Sequence, residues 1–402
     1  MTAATPPAGL PARPETIEAD VLVAGAGLPG LALAAALGGS GLSVVVADRN
    51  AVEVVDEPAW DTRIYAISPG NAEFLGALGA WQALPAGRIA PVETMRVEGD
   101  RGAVLGFDAY DLGEPALAWI VEERALKNAL VPRVEAAGVR IVAPAVFATL
   151  VWTAEAGTLE LADGRAVRAR LVVGADGVRS WVRRAAGLVA EPRPYGQTAV
   201  VANFECERPH GGCARQWFLP DGGILAWLPM PGDAISIVWS APEALATTLM
   251  GLSPEALAGR VAAQGGHALG ALRCLTPGAA FPLAFLRLPA ACAHRLALVG
   301  DAAHGVHPLA GQGVNLGFGD ARELAGVLAG RGPIADPGAP LLLERYGRRR
   351  AEPVLAMQAA TDGLAKLFGS RVPGAARLRN LGLAAVSKLA PIKLALARPA
   401  LH

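Results

Sequence analysis

The sequence is poor in cysteine and carries no excess charge of either sign. Its 402 residues include only four cysteines, none in CxxC spacing: Cys206, Cys213, Cys274 and Cys292. Thiols this sparse are typical of reduced cysteines in the cytosol and argue against a disulfide framework. The 36 basic and 36 acidic residues balance, so no global field attracts nucleic acid. We expect a cytoplasmic protein that binds no nucleic acid.

The sequence also lacks a GxSxG nucleophile motif, which leaves hydrolysis without support. Its long apolar run, residues 21–47, has no charged residue, yet it does not resemble a membrane span or a signal peptide. Five glycines before Ser40 and the flanking Asp20 and Asp48 instead indicate a buried strand, turn, helix and strand. We expect the Pro- and Ala-rich residues 1–16, which lack a basic leader, to form a disordered tail.

A glycine-rich turn lies inside the apolar run. Residues 21–24 are predicted to form a strand, residues 31–37 a helix, and residues 43–47 a second strand that ends at Asp48. The turn after the first strand has the pattern GxGxxG, formed by Gly25, Gly27 and Gly30. The glycines allow a tight turn, close approach of a pyrophosphate and close helix packing, and the acid accepts hydrogen bonds from ribose hydroxyls. This pattern favours dinucleotide binding over a purely structural turn, without choosing between NAD and FAD.

A second glycine-rich segment, residues 295–321, combines a strand, an acid and the start of a helix. The apolar run LALV predicts a buried strand, Gly300 allows close backbone approach, and Asp301 places a carboxylate where ribityl hydroxyls can bind. The apolar helical pattern is preceded by Gly311, Gln312 and Gly313. Backbone N–H groups at a helix start stabilise negative charge, which a reduced flavin carries at the N1/O2 edge of its ring. The segment is therefore compatible with flavin binding.

Residues 162–184 predict a hairpin that leads into a buried strand and then a helix carrying Arg183. Gly174, Asp176 and Gly177 lie at the end of that strand, where alone they would indicate an ordinary tight turn. Together with the two preceding segments, they make the chain resemble the flavoprotein aromatic hydroxylases of the p-hydroxybenzoate hydroxylase fold. In that family, GxGxxG, DG and GD motifs occur in this order and surround one FAD.

A closer resemblance is to the ubiquinone-biosynthesis hydroxylases of the UbiH/UbiF type. Their HPLAGQGxNxGxxD signature is matched by His307, Pro308, Leu309, Ala310, Gly311, Gln312, Gly313, Asn315, Gly317 and Asp320. Further matches lie at residues 61–68, 78–81, 119–126, 215–231, 236–240 and 281–283. The resemblance covers residues 21 to about 393 and ends before the final ARPALH, which differs from the small-residue ending expected of the family.

The resemblance implies which residues hold the FAD. Contacts to the pyrophosphate are implied for Gly25, Gly27 and Gly30, and to the adenosine ribose for Asp48. Asp176 is implied both in nucleotide binding and in supporting the site. Flavin contacts are implied for Arg63 and Arg124, although a lone arginine is otherwise a solvated surface charge. Contacts to the ribityl chain and the isoalloxazine ring are implied for Gly300, Asp301, Pro308, Gly311, Gly313, Val314 and Asn315. No catalytic residue is assigned, and the candidates for the flavin face are His307, Pro308 and Gln312.

His304 and His307 form an HxxH pair that resembles half of a metal site. No nearby cysteine, histidine or carboxylate pair completes a ligand set, and a metal would remove Asp301 from ribityl binding. We therefore expect no metal, and we expect His304 to support the loop around Pro308.

The resemblance implies that the FAD carries the chemistry. Reduced flavin reacts with dioxygen to give a C4a-hydroperoxide, which delivers oxygen to an electron-rich aromatic ring while the protein excludes water. No second GxGxxG occurs, so the expected electron donor, NAD(P)H, would bind transiently without a Rossmann domain of its own. No residue is assigned to accept the proton of the substrate phenol.

The substrate is expected to bind the β-rich middle of the chain, where strands such as residues 197–205 and 235–239 would form a sheet over the flavin. Candidates for lining the pocket are Trp217, Phe218, Trp227 and Trp239. The alternative for each is a place in the hydrophobic core.

After Asp362 the chain has seven Lys or Arg residues and no Asp or Glu. A basic amphipathic end would dock on the anionic surface of the inner membrane or on another ubiquinone-biosynthesis protein. The alternative is a helix packed on the FAD domain with an ordinary solvated face.

These observations predict an α/β protein with a Rossmann-like FAD-binding domain of the p-hydroxybenzoate hydroxylase fold, an inserted β-rich substrate domain and a C-terminal helical region. We assign residues 17–90, 115–188 and 285–335 to the FAD domain. The substrate domain is residues 91–114 and 189–284, and the helical region is residues 336–402. The expected function is FAD-dependent hydroxylation of polyprenylated phenols with O2. The alternatives are a flavin-dependent reductase or dehydrogenase of prenyl lipids, and a noncatalytic flavin-bearing subunit of a biosynthetic complex.

Overall fold

The computed structural model describes residues 15–370 and 374–388. Of the expected tail, residues 1–14 lie outside this range, whereas Thr16 is already the first residue of a strand. The basic end beyond residue 388 also lies outside it. In the part of the chain that is described, no helix combines the length and the apolar character needed to cross a membrane.

The strands of the described residues are β1 (Thr16–Ala24), β2 (Val44–Ala47), β3 (Ile64–Ile67), β4 (Ile89–Val92), β5 (Thr94–Glu98), β6 (Val104–Asp108), β7 (Ala118–Glu122), β8 (Arg140–Val142), β9 (Phe147–Trp152), β10 (Gly157–Leu161), β11 (Ala166–Gly174), β12 (Arg193–Cys206), β13 (Cys213–Phe218), β14 (Ile224–Met230), β15 (Ala234–Pro242), β16 (Leu272–Cys274), β17 (Ala279–Arg287), β18 (Cys292–Ala293), β19 (Leu296–Leu298) and β20 (His304–Gly305).

The helices are α1 (Leu28–Ala36), α2 (Pro69–Ala77), α3 (Ala109–Leu112), α4 (Glu123–Ala136), α5 (Trp181–Ala185), α6 (Glu243–Met250), α7 (Pro254–Gln264), α8 (Gly313–Ala329), α9 (Pro340–Gly369) and α10 (Ala375–Lys388). Single 3₁₀ turns occur at Trp81–Ala83, Ala86–Arg88, Gly300–Ala302 and Leu309–Gly311.

A parallel sheet with the order β19-β11-β1-β2-β8 carries the glycine-rich turns. Strand β2 is buried along its whole length, as expected when helices or hairpins cover both faces of a sheet. Apolar side chains of α1, α4 and α8 form the core on one face. The β9–β10 hairpin and α5 contribute to the core on the other face.

The first strand, turn and helix lie close to their predicted positions. Helix α1 begins at Leu28 rather than at residue 31, because Pro29 suits a first helical turn whose N–H groups have no partner within the helix. Strand β2 begins at Val44 rather than at residue 43. The N–H and hydroxyl of Ser43 both donate to Asp20 Oδ2, at 2.9 Å each.

A second sheet has the order β20-β17-β12-β15-β14-β13-β5-β6, with β16 paired to β12. It is antiparallel except for the parallel pair of β5 and β13. One face of its centre packs on α6 and α7. The predicted strands at residues 197–205 and 235–239 lie within β12 and β15. Strands β3, β7 and β4 form a third, antiparallel sheet.

We propose the division into domains on this basis. The parallel sheet takes its strands from residues 17–90, 115–188 and 285–335, whereas the mixed sheet takes most of its strands from residues 91–114 and 189–284. Helices α9 and α10 supply the helical region.

Candidate active site

Three turns meet at the carboxyl ends of neighbouring parallel strands. The N–H of Ala175, after β11, donates to the carbonyl of Ala24 at the end of β1, at 2.7 Å. The N–H of Val299, after β19, donates to the carbonyl of Gly174, at 3.0 Å. The GxGxxG turn, the DG turn and the GD turn, which are far apart in sequence, therefore form one continuous edge.

The GxGxxG turn has the shape that a pyrophosphate requires. Gly25 has φ +119°, and a Cβ there would lie 2.3 Å from the carbonyl oxygen of Ala175. A Cβ on Gly30 would lie 2.1 Å from the carbonyl oxygen of Gly25. At Gly27, the residue before α1, the nearest atom would be 3.9 Å away, so this position faces open space. The cradle thus fits an anionic group at the N-terminus of α1.

Asp48 lies at the end of β2, at the rim of this cradle. Its Oδ2 accepts the N–H of Ala26 at 2.7 Å, and its Oδ1 accepts the N–H of Asn50 at 2.8 Å. These two bonds fix the carboxylate beside the glycine turn and leave lone pairs for ribose hydroxyls.

The DG turn is stabilised by its own aspartate. Asp176 accepts the hydroxyl of Ser180 and the N–H groups of Trp181 and Val182, the latter two at 2.6 and 3.1 Å, and so caps α5. Asp176 also lines the cavity described below. No sequence motif points to Arg183, which is buried and donates to the carbonyls of Ala302 and Val178, each at 2.9 Å. This arginine joins the DG turn to the GD turn.

The GD turn presents Asp301 to the cavity. Gly300 has φ +58°, and a Cβ there would lie 3.2 Å from the ring of Pro29 in α1. The surrounding protein raises the pKa of the Asp301 carboxyl above its ordinary value, despite the nearby positive charges of His304 and Arg63. Its side chain is exposed to the cavity, so hydroxyl groups of a ligand can donate hydrogen bonds to the carboxylate.

A buried cluster of charges holds the GD turn from behind. Asp320 in α8 accepts the N–H of Gly300 at 2.8 Å, Nε2 of His304 at 2.6 Å and Nε of Arg350 at 2.6 Å. Burial alone would raise the pKa of Asp320, but the His304 and Arg350 contacts outweigh it and lower that pKa. The pKa of His304 is raised, because the attraction of Asp320 exceeds the opposing effect of burial. His304 thus supports the loop, as expected from the sequence.

The start of α8 is tied to the β3–α2 junction through Asn315. Its amide Nδ2 donates to the carbonyl of Ala66 at 2.8 Å, and its Oδ1 accepts the N–H of Ser68 at 3.0 Å. Gly311 has φ +65° and would place a Cβ 3.2 Å from Cβ of Ala66. The cavity beside this helix start is lined by Pro308, Gly311, Gln312, Gly313, Val314 and Asn315.

The two expected arginines differ in position. Arg63 lines the cavity, with its Nη1 3.2 Å from Glu123 Oε2 and its guanidinium 4.7 Å from the ring centre of Phe281. Arg124 instead binds Glu57 Oε2 at 2.5 Å and the carbonyl of Ala59, outside the cavity lining of the described residues. We therefore revise the direct flavin contact expected for Arg124, because its guanidinium is bound to the preceding loop.

His307 also differs from expectation, because it is fully buried and is not among the described residues that line the cavity. Its Nε2 lies 2.9 Å from Gln197 Oε1, and the ring of Tyr195 packs edge-on with a centroid distance of 5.0 Å. Burial lowers the pKa of His307 to about 4, so the ring is neutral and its Nε2–H donates to Gln197. His307 therefore positions the loop, whereas Pro308 and Gln312 face the cavity.

One cavity of about 2370 Å³ joins all these turns to the mixed sheet. From the three turns it passes Pro308 and reaches the face of β12 to β15 opposite α6 and α7. The sheet wall of the cavity is mostly apolar, with residues such as Ala199, Val201, Ala226 and Val238. Its polar residues include Gln216 and Ser236, and neither of these has a side-chain hydrogen bond to another described residue; Arg215 of β13 also lines the cavity.

The four aromatic candidates for the pocket separate into two groups. Trp227 and Trp239 are fully buried in the core against α6 and α7, and Trp217 packs beside them. Phe218 lines the cavity. Side chains alternate between the faces of a strand, so Phe218 and Trp217 necessarily face opposite sides of β13. Within the described residues, no three His, Cys, Asp or Glu side chains cluster as a metal site would require.

The comparisons with known proteins agree with this geometry. Residues 18–361 match the family model described as FAD binding domain. The chain is 39% identical to ubiquinone hydroxylase UbiL of Rhodospirillum rubrum, over 93% of this chain and 87% of that protein. It is 34% identical to 3-demethoxyubiquinol 3-hydroxylase of Escherichia coli, over 93% of this chain and 96% of that protein.

Among solved structures, the chain resembles PqsL of Pseudomonas aeruginosa in complex with 2-aminobenzoylacetate. The TM-score is 0.75 at 26% identity, covering 91% of this chain and 99% of that one. The fold is also similar to that of p-nitrophenol 4-monooxygenase PnpA from Pseudomonas putida, with a TM-score of 0.77 at 20% identity, covering 96% and 99% of the two chains.

Proposed function

The chain belongs to the FAD binding domain family, and from this premise we propose that it is a monooxygenase that hydroxylates the aromatic ring of a polyprenylated phenol in ubiquinone biosynthesis. The names of the Rhodospirillum rubrum and Escherichia coli relatives support the pathway. The observation that carries the proposal is the continuity of the cavity, because it connects a built dinucleotide site to an apolar chamber.

The FAD would be held by the residues described above. The pyrophosphate would lie against Gly27, the adenosine ribose against Asp48, the ribityl chain against Asp301, and the ring beside Pro308 and the start of α8. When bound and reduced, the flavin supplies the activation of dioxygen and the transfer of one oxygen atom. We propose NAD(P)H as the donor, acting from a transient position, since the sequence has one GxGxxG.

The protein contributes exclusion of water and orientation of the ring. An apolar wall opposite the flavin keeps water from the reacting atoms. Gln216 and Ser236 are two polar groups of this wall that can bind oxygen substituents of a substrate ring. Gln216 pairs with Ala226, which pairs with Val238, two residues from Ser236. Two strand spacings and two residues put their Cα atoms roughly 12 Å apart, so they can contact different substituents of one ring.

Turnover of the reconstituted holoenzyme with labelled dioxygen tests the reaction. Label in a hydroxylated polyprenylphenol supports the monooxygenase. Turnover without label favours a reductase, and tight flavin binding without turnover favours a noncatalytic subunit. Gln216→Leu should raise KM about tenfold, the effect of one lost hydrogen bond of roughly 1.4 kcal/mol. The matched control is Gln82→Leu, at an exposed position beyond α2. An unchanged KM in Gln216→Leu would remove this residue from ring binding.

A peripheral contact with an anionic membrane surface also belongs to the proposal. Two basic residues after Asp362 are engaged within the protein: Lys366 with Asp362 at 2.5 Å, and Arg379 with Asp100. The contact therefore depends on the remaining basic residues, of which Arg371, Lys393 and Arg398 lie outside the described residues. Co-sedimentation with phosphatidylglycerol vesicles should fall in the double variant Lys393→Ser and Arg398→Ser, and unchanged sedimentation would contradict the contact.

A further inference from the structure

We propose that an apolar branch of the cavity, between the β5–β6 hairpin and α10, binds the isoprenoid chain of the substrate, with α10 as its outer wall. The inference rests on the proposed function and adds the place of the chain. Six residues represent this branch: Val97, Leu105, Phe218, Phe368, Leu383 and Val386.

The cavity is large enough to hold more than one small molecule. Pockets for one small molecule usually measure about 300–1,000 Å³. At about 2370 Å³, this cavity exceeds twice that upper value. The lining of the cavity reaches from the glycine turns to residues of α9 and α10.

The walls of the branch are apolar and come from three parts of the fold. Val97 and Leu105 face it from neighbouring strands of the hairpin, where they are cross-strand partners. Phe218 stacks on Phe368 of α9 with ring centres 3.6 Å apart and planes 15° apart. Leu383 of α10 packs against the same cluster. Such a surface offers a ligand the burial of apolar area and no directional contact.

The charged groups at the branch are already satisfied within the protein. Arg379 forms an ion pair with Asp100 in which both side chains are almost fully buried. Its Nη1 also donates to the carbonyls of Leu367 and Ser370, at 2.9 and 3.0 Å. Asn380 Nδ2 donates to Asp100 Oδ1 at 2.7 Å. These bonds fasten α10 to the hairpin and leave the neighbouring wall to an apolar ligand.

The branch begins at the flavin end of the cavity. Leu309 follows Pro308 directly and belongs to the same buried cluster as Phe218 and Phe368. A chain attached to a ring that lies near Pro308 therefore enters the branch without crossing a polar region. From Arg379 to Val386, α10 runs beside it for about 10 Å at 1.5 Å per residue.

The test places a bulky side chain in the branch and measures how KM depends on the length of the isoprenoid chain of the substrate. Gly382 lines the cavity, and a Cβ there would meet nothing within 4 Å, so Gly382→Trp can place its ring in the branch. The matched control is Leu381→Trp, because Leu381 is the adjacent residue and is 67% exposed. A second variant, Val97→Phe, narrows the branch from the opposite wall.

The substrates are one phenol carrying a single isoprene unit and one carrying four, assayed with FAD-loaded enzyme. For the native enzyme, we expect KM to be at least tenfold lower for the substrate with four isoprene units than for the substrate with one. Gly382→Trp and Val97→Phe should lose most of this lowering of KM by the longer chain, while keeping native kcat and KM for the short substrate. Leu381→Trp should keep the native dependence of KM on chain length. The inference is overturned if FAD-loaded Gly382→Trp and Val97→Phe retain the native chain-length ratio, or if Leu381→Trp loses it equally.

Binding of geranylgeraniol, measured by calorimetry on the same proteins, separates the subsite from the reaction. If neither phenol is hydroxylated but the alcohol binds native enzyme and Leu381→Trp at least tenfold more tightly than Gly382→Trp, the subsite stands and the proposed function fails. If the phenols are hydroxylated and the alcohol binds native enzyme and Gly382→Trp alike, the function stands and the subsite fails.

Discussion

Asp320 is the point at which the fold of the GD turn can be tested most directly. Its carboxylate is 1% exposed and accepts hydrogen bonds from Gly300, His304 and Arg350. Replacing it by asparagine keeps the shape and removes the charge. His304 can then release its proton, but an arginine remains charged at any accessible pH.

The expected loss follows from the buried cation that is left. Removing one partner of a buried ion pair costs about 3–5 kcal/mol. The new amide still accepts one hydrogen bond, so we expect Asp320→Asn to lower the free energy of unfolding by about 3 kcal/mol. This is more than a hundredfold in the ratio of folded to unfolded protein, and a large part of the usual total of about 5–15 kcal/mol.

Urea unfolding of FAD-loaded and FAD-free protein measures this loss. The matched control is Glu323→Gln, which breaks the Arg349 pair between the same two helices, where the side chains are 30% and 48% exposed. That pair should contribute about 0–1 kcal/mol. The reasoning is refuted if the loss of free energy of unfolding in Asp320→Asn lies within 1 kcal/mol of the loss in the control. It is also refuted if the losses in Asp320→Asn and Arg350→Met simply add in the double variant, because two residues that interact should not be additive.

The loss should also depend on pH. The raised pKa of His304 stabilises the native protein fully below the unfolded value near 6.5, and this contribution disappears as pH rises through the folded pKa. Without the Asp320 charge, burial instead lowers the pKa of His304 and destabilises the fold below about pH 6.5. Between pH 6 and pH 9, the difference in free energy of unfolding between the native protein and Asp320→Asn should therefore be largest at pH 6 and smallest at pH 9. A difference that widens with pH would contradict the assignment.

Three further outcomes are expected. Gly30→Ala should abolish FAD retention, because its Cβ would lie 2.1 Å from a backbone oxygen. The control Gly326→Ala, whose Cβ would meet nothing within 4 Å, should retain FAD. Equal flavin content of the two purified proteins would contradict the role of the glycine turn. Asp48→Asn should weaken FAD about tenfold by fluorescence titration, against an unchanged Asp163→Asn on an exposed turn. Burial raises the pKa of Cys292 to about 12, so iodoacetamide at pH 8 should label it only after unfolding; labelling in the native protein would refute this.

The glycine-rich turns could be predicted from the sequence because their constraints are local. A tight turn after a buried strand requires glycine wherever φ is positive, as at Gly25 and Gly300. The three motifs therefore lie where the sequence predicts them, at the ends of β1, β11 and β19. The observed start of α1 precedes the predicted one by three residues, because Pro29 is equally compatible with a turn and with a first helical turn.

The remaining site depends on tertiary contacts that no local pattern contains. Arg350 is 30 residues from Asp320, and Arg379 is 279 residues from Asp100. The role of Arg183 cannot be predicted from a pattern of side chains, because its partners are backbone carbonyl groups. His307 lies in the motif beside the flavin, but its direction depends on Gln197 of another sheet.

The tryptophans illustrate a different difficulty. Strand alternation predicts that neighbouring side chains face opposite sides of a sheet. In β13 to β15, one face packs on helices α6 and α7 and the other face lines the cavity. Periodicity therefore separates Trp217 from Phe218 without indicating which of them meets a ligand. Only the packing of α6 and α7 against Trp227 and Trp239 decides the question.

The union of three distant turns has a consequence for the order of events during synthesis. A Cβ on Gly317 would lie 2.6 Å from the ring of Pro29, so the first helix is completed by contact with a segment made almost 300 residues later. At about 5–20 residues per second, the ribosome needs roughly 15–60 s to deliver that segment. Until then the apolar side chains of α1 are covered only in part, by α4. We therefore expect cofactor capture only after nearly the whole chain has emerged, and nascent chains shorter than about 320 residues should depend on chaperones.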